Sequence, residues 1–185
     1  MKHILILFLS VCTFAGYGQD KAASVHFNHL TEVPGTEYVI ATVENYGKAA
    51  ASRSRYLLFI NSANGQSKQV DFPNDSYISD VEQIKLDSIK LNIILVSAKT
   101  VNLDRDKSID WNDPMQIFSI SVDGQEKKQL TEDNFYARTW TINKQTGSIV
   151  ITGHYDSNNS GKYDRGDKGQ IVVVDLRSGT VVRKI

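Results

Sequence analysis

Cysteine is almost missing from this chain. Cys12 is the only one, and it falls inside the leader read below, so the exported part has neither disulfides nor thiol chemistry. Charge of one sign is missing as well. Basic and acidic side chains number 21 each, the formal net charge is +0, and no polybasic run occurs, so charge gives no reason to expect nucleic acid or a lipid surface as partner. No apolar run reaches the roughly 18 residues of a membrane-spanning helix. A glycine-rich phosphate loop, a nucleophile elbow, zinc-ligand spacing and a basic patch with stacking aromatics are all absent. No catalytic residue and no organic cofactor is therefore expected, and the chain reads as non-enzymatic.

What is present begins with an address. The opening "MKHILILFLSVCTFAGYGQD" sets Lys2 before an apolar run from Ile4 to Ala15, with Gly16 and Gly18 just ahead of Gln19, the layout of a cleavable secretory signal. Residues 1–18 are read as signal peptide and 19–185 as one exported domain, periplasmic or extracellular and without a transmembrane segment. Val11 stands where a lipid-modification site has a small residue, which makes a lipoprotein the weaker alternative. The domain is long enough to bury a substantial core.

Self-similarity organises that domain. "NLDRDKSIDWNDPMQIFSISVDG" begins at Asn102 and "DSNNSGKYDRGDKGQIVVVDLRSG" at Asp156, 54 residues later, with Asp110, Asp113, Gln116 and Ile117 matching Asp164, Asp167, Gln170 and Ile171. After each loop comes a strand-like run and then a glycine turn at Gly124 or Gly179; "RYLLFINS" before Gly65 is a third copy. Phe118, Ile120 and Val122 alternate with Ser119 and Ser121, the period-two pattern of a strand with one buried face. With the runs "EYVIATV", "NIILVSA" and "GSIVITG" before the loops and "SVHFN", "EQIKLD" and "ARTWTI" before those, each unit has four strands. The units span about 24–72, 80–131 and 135–185. In "VEQIKLDSIKLN", Val81, Ile84 and Ile89 also fit a helix face, but alignment with "ARTWTINKQTG" favours a strand.

The fold class is therefore all-β, built of tandem four-stranded antiparallel units of the length at which propeller blades repeat. "IFSISVDGQEKKQLT" followed by "ARTWTINKQTGSIVIT" resembles the repeat of TolB-type β-propellers, with Gln129-Leu130-Thr131 as the closing tripeptide, Trp140 as the strand tryptophan and Gly147 as the corner glycine. Ile142 stands where that family usually has proline. The resemblance implies blade-like repeats and says little about function. Propellers close with roughly four to eight blades, and three leave two open ends, so either two chains pair as a homodimeric six-bladed ring or the hairpins pack in a β-sandwich-like arrangement.

The polar loops carry the candidate site. From Asp156, oxygen ligands fall at Asp156, Asn158, Ser160, the Lys162 carbonyl, Asp164 and Asp167, with Gly161 sixth; this is the alternation of a chain wrapping Ca2+, with glycine at the sharp turn. Tyr163 occupies the place of an apolar anchor for the outgoing strand. The earlier loop offers Asn102, Asp104, Asp106, Asp110 and Asp113 at the same spacing, but Lys107 replaces the glycine. Since a lysine at positive φ costs on the order of 1 kcal/mol, that copy must turn differently or bind more weakly. The first-unit segment "ENYGKAAASRSR" has lost the acids and is read as metal-free. His26 and His29, three apart on a strand, are expected on opposite faces. Trp140 is expected in the core and Trp111 in the open. The functional expectation is a binding module with calcium-stabilised hairpin loops facing a protein, peptide or glycan. The alternatives are a calcium-dependent hydrolase or lyase acting on glycans, and a subunit functional only after assembly.

Overall fold

The structure is a computed structural model that describes residues 24–46 and 53–185; the leader and the core of the first-unit loop lie outside them. Among the described residues, twelve strands form three sheets in strict chain order. β1 (Ser24–Glu32), β2 (Tyr38–Tyr46), β3 (Arg53–Asn61) and β4 (Ser67–Asp71) make the first. β5 (Tyr77–Leu86), β6 (Leu91–Lys99), β7 (Gln116–Ser121) and β8 (Lys127–Gln129) make the second, and β9 (Phe135–Asn143), β10 (Ser148–Tyr155), β11 (Lys168–Asp175) and β12 (Thr180–Lys184) the third. Every neighbouring pair is antiparallel. The expected all-β fold of blade-like units is present, and the sheets do not close on themselves. The ambiguous segment is strand up to Leu86, then a 3-10 turn at Asp87–Ile89 that Lys90 ends at φ 54°. Among the described residues no helix is long and apolar enough to cross a membrane.

The sheets stack in series and share two cores. Ile40, Leu57, Phe59 and Val70 of the first sheet meet Ile94, Val96, Phe118 and Ile120 of the second. Leu91, Leu95 and Ile117, on the second sheet's other face, meet Ile149, Ile151, Val172 and Val174 of the third, joined by Phe135 and partly by Trp140. The middle sheet is thus buried on both faces, which is why "NIILVSA" reads as a continuous apolar run rather than an alternating one. Each such side chain taken from water stabilises by about 1.5–3 kcal/mol, and this burial takes the place of the missing disulfides.

Repetition extends to a feature the sequence hides. The first strand of each sheet carries a bulge, between Phe27 and His29, between Ile78 and Asp80, and beside Arg138. In each case it sits at the same rung, opposite Val43, Ala98 and Gly153. The extra residue restores the alternation out of phase. His26 pairs with Glu44 and His29 with Thr42, so the two histidines share a face, contrary to the spacing rule for a regular strand.

Gln116, fully buried at the start of β7, holds the neighbouring loop to this frame. Its side-chain oxygen accepts from the Thr100 amide at 2.9 Å and the Thr100 hydroxyl at 3.0 Å. Gln116→Leu strands both donors in the interior, so denaturant unfolding should show a loss of about 1–3 kcal/mol; unchanged stability would refute the anchoring role.

Candidate functional site

The two polar loops leave the same end of adjacent sheets, one joining β6 to β7 and the other β10 to β11. Loop amides without a strand partner need acceptors, and short Asp, Asn and Ser side chains supply them. In the later loop Asp167 takes the Ser157 amide on Oδ1 at 3.1 Å and the Asp164 amide on Oδ2 at 2.9 Å. Asp113 does the same in the earlier loop, accepting from Leu103 at 2.7 Å and Asp110 at 2.8 Å. Asn158 caps the Ser160 amide as Asp104 caps Asp106, and the Ser160 hydroxyl meets the Lys162 amide as Asp106 meets Ser108. Asp164 receives the Gly166 amide as Asp110 receives Asn112. The loops have the same internal scaffold, 54 residues apart.

They part at their first position. Buried Asp156 accepts the amides of Ser160 at 2.9 Å and Gly161 at 2.8 Å. Asn102 donates its amide to the Asp106 carbonyl at 3.1 Å instead, and its Oδ1 is buried without a partner. Gly161 adopts φ +73°, and a Cβ there would lie 2.6 Å from Asp104 Cα, so glycine serves both the turn and the close approach of the two loops. Lys107 is not among the residues with positive φ; Arg105, at 57°, takes a left-handed conformation as its counterpart Asn159 does at 56°. The earlier copy therefore turns differently at its sixth place. Tyr163 departs from the anchor role: it is exposed, its ring 4.3 Å from His154 and beneath the Arg138 guanidinium.

Carboxylates set the electrostatics. Tyr136 donates to the Gly161 carbonyl at 2.9 Å, and its hydroxyl is pushed up to about 12, first by burial and then by Asp156, Asp113, Asp167 and Asp104. Burial also raises Asp113, with Asp104 and Asp110 adding to it, against the amides of Asp110 and Leu103. Half-buried Asp164 is lowered, chiefly by the Asn158 side chain and the Gly166 amide. Among the described residues no three acidic or histidine side chains converge as a metal-holding group; these carboxylates are turned to their own loop amides.

Beside the earlier loop a cleft of about 680 Å3 is lined by Arg55, Tyr77, Lys99, Lys107, Asp110 and Trp111. Trp111 is 82% exposed, as the sequence reading expects. Lys99 fixes the loop from below, donating to the carbonyls of Trp111 at 2.8 Å and Asp113 at 2.5 Å. Arg55 pairs with Glu44 at 2.7 Å and lies 5.0 Å over the Tyr77 ring. Sequence reasoning missed Arg55, Tyr77 and Lys99, which come from two sheets and carry no local motif.

No family model matches the chain, and no curated protein matches it. Among solved structures it is similar to the Pyrococcus horikoshii acylaminoacyl peptidase, at 11% identity and a TM-score of 0.47 over 88% of this chain and 25% of that one. The β-propeller domain of the Trilobed protease from Pyrococcus furiosus is similar at 9% identity and 0.47, over 87% of this chain and 42% of that one. A Synechocystis apocarotenoid oxygenase mutant is similar at 17% identity and 0.39, covering 85% and 38%. The chain spans less than half the length of each. Likeness this distant bears on neither site nor ligand.

His154 supplies a pH test of the site's packing. Buried between Tyr136, stacked at 4.7 Å, and Tyr163, it is lowered from 6.5 by burial and then by Arg138, outweighing Asp167 and Asp156. The unfolded chain then takes up the proton first, so stability is lost as pH falls below 6.5. The melting temperature should drop over that window, and His154→Phe should flatten the drop; equal slopes in both proteins would contradict it.

Proposed function

We propose that this is an exported, non-enzymatic binding module whose two loops, ordered by calcium, present a cleft to a protein, peptide or glycan. The observation that carries the reading is the recurrence of one amide-capping scaffold in two loops that touch at Gly161. Asp156, Asn158, Ser160, the Lys162 carbonyl, Asp164 and Asp167 would hold the later ion, and Asn102, Asp104, Asp106, Asp110 and Asp113 the earlier one. The donor set is all hard oxygen, which suits calcium. Burial is the larger cause of the raised Tyr136 hydroxyl, and the carboxylates of Asp156, Asp113, Asp167 and Asp104, which add to it, supply a negative field that a cation would relieve. Bound calcium neutralises that cluster. The chain's own share is to keep the loop backbones in place, so that Trp111 and Tyr77 offer ring faces beside Lys99 and Lys107. The cations favour ligands with acidic groups.

Millimolar calcium should raise the melting temperature, with a gain of about 2.7 kcal/mol once calcium reaches a hundred times its dissociation constant. Asp156→Ala combined with Asp164→Ala should abolish the part due to the later loop, and a calcium-insensitive wild-type protein would sink the calcium reading. On a glycan and peptide array, Trp111→Ala should weaken capture by roughly 2 kcal/mol or more if Trp111 is the anchor. Turnover of an arrayed ligand would instead favour the hydrolase alternative.

A further inference from the structure

Among the described residues, repeat equivalence identifies two sheet faces that lack a partner sheet. Each sheet turns one face to its predecessor. In the second sheet that face carries Ile78 and Val81 on the first strand, Ile94 and Val96 on the next, and Phe118 and Ile120 after them, all packed in the first core. The third sheet uses Ala137, Trp140, Ile149, Ile151, Val172 and Val174 at the same rungs, in the second core. The first sheet has Phe27, Leu30, Val39, Ala41, Leu58 and Ile60 there. All six are apolar, yet Phe27 and Leu30 are each 64% exposed.

The turn glycines agree with this. A Cβ on Gly124 would strike Phe59 of the preceding sheet at 2.7 Å and one on Gly179 would strike Lys128 at 2.5 Å, whereas Gly65 meets nothing within 4 Å. At the other end, Val70 and Leu130 cover their successors' side of the first two sheets at 6% and 4% exposure. Ile185, at the matching rung beside Ile171, is 65% exposed. Val150, Ile171 and Val173 complete that face, in register with Ile40, Leu57 and Phe59. Lys128 reaches across the existing seam to the Ser178 carbonyl at 2.5 Å, and Arg183 occupies its place on the third sheet.

We propose that a second copy of this chain covers both faces, the third sheet of each packing on the first sheet of the other in a two-fold ring. The seam so formed continues the contact the chain already makes twice within itself, with the same rungs and the same residue classes. Two copies supply six sheets, inside the roughly four to eight with which propellers close, and residue pairs are exchanged reciprocally as two-fold symmetry requires. Closure also removes the open apolar faces, a recognised association hazard.

The experiment is light-scattering mass of the purified chain, with Phe27→Asp and Ile185→Asp, which alter side chains already in solvent in the single chain and so leave its fold intact. The wild type should have twice the chain mass, and each variant should fall to half of that with an unchanged strand signal in circular dichroism. Mixing the two variants should restore the double mass, because one of the two seams then joins unaltered faces. A wild type of single mass overturns the proposal, whether the faces are open or covered by more of the same chain or by another protein. Variants that keep the double mass, or a mixture that stays single, overturn it too.

Discussion

Burial of both faces of the β5–β8 sheet is the constraint on which the rest of the structure depends. The apolar face of a four-stranded meander must be buried against another layer, and this chain contains no disulfide to compensate for leaving it in water. The middle sheet resolves this for all three, because Ile94, Val96, Phe118 and Ile120 serve one neighbour while Leu91, Leu95 and Ile117 serve the other. Everything at the loop end is then placed by a frame fixed from both sides. Thr100, where the earlier loop begins, is bonded to Gln116, which is fully buried within that sheet.

The bulges belong to the same constraint. A regular first strand would put the residues before and after the bulge on opposite faces. One extra residue at Asn28, Ser79 and Arg138 lets Ile78 and Val81, and likewise Ala137 and Trp140, reach the same core. The bulge also increases local twist, and it does so at the same rung in each sheet. A repeated packing problem has received a repeated backbone solution with three different side chains.

That explains what could be read in advance and what could not. Units, strand order and loop equivalence were legible because apolar alternation, glycine turns and the Asp spacing are properties of short windows. The bulges were not, since Asn28, Ser79 and Arg138 have nothing chemical in common and the rule of alternation then misplaces His26 and His29. The capping scaffold was legible in outline, as ligand-type residues at fixed spacing, but their partners were not: the same Asp, Asn and Ser residues that suit a cation also suit their own amides. The cleft was least legible. Arg55, Tyr77 and Lys99 are brought to Trp111 by sheet stacking alone, and no window of sequence contains two of the sheets.

The two loops, alike in scaffold, are unlike in packing and exposure. The later one has the features of a support: Asp156 buried at its start, Gly161 pressed on the backbone of Leu103 and Asp104, and the Gly161 carbonyl held by Tyr136. The earlier one is more open, with Trp111 exposed and Lys99 bracing its backbone from beneath. Gly161 is what couples them, because any side chain there would drive the loops apart by colliding with main chain rather than with a flexible side chain. Lys107, at the matching place in the earlier copy, has no positive φ and lines the cleft wall instead. One copy thus has the tight turn at Gly161, while the other has a charged edge at Lys107 beside the exposed tryptophan.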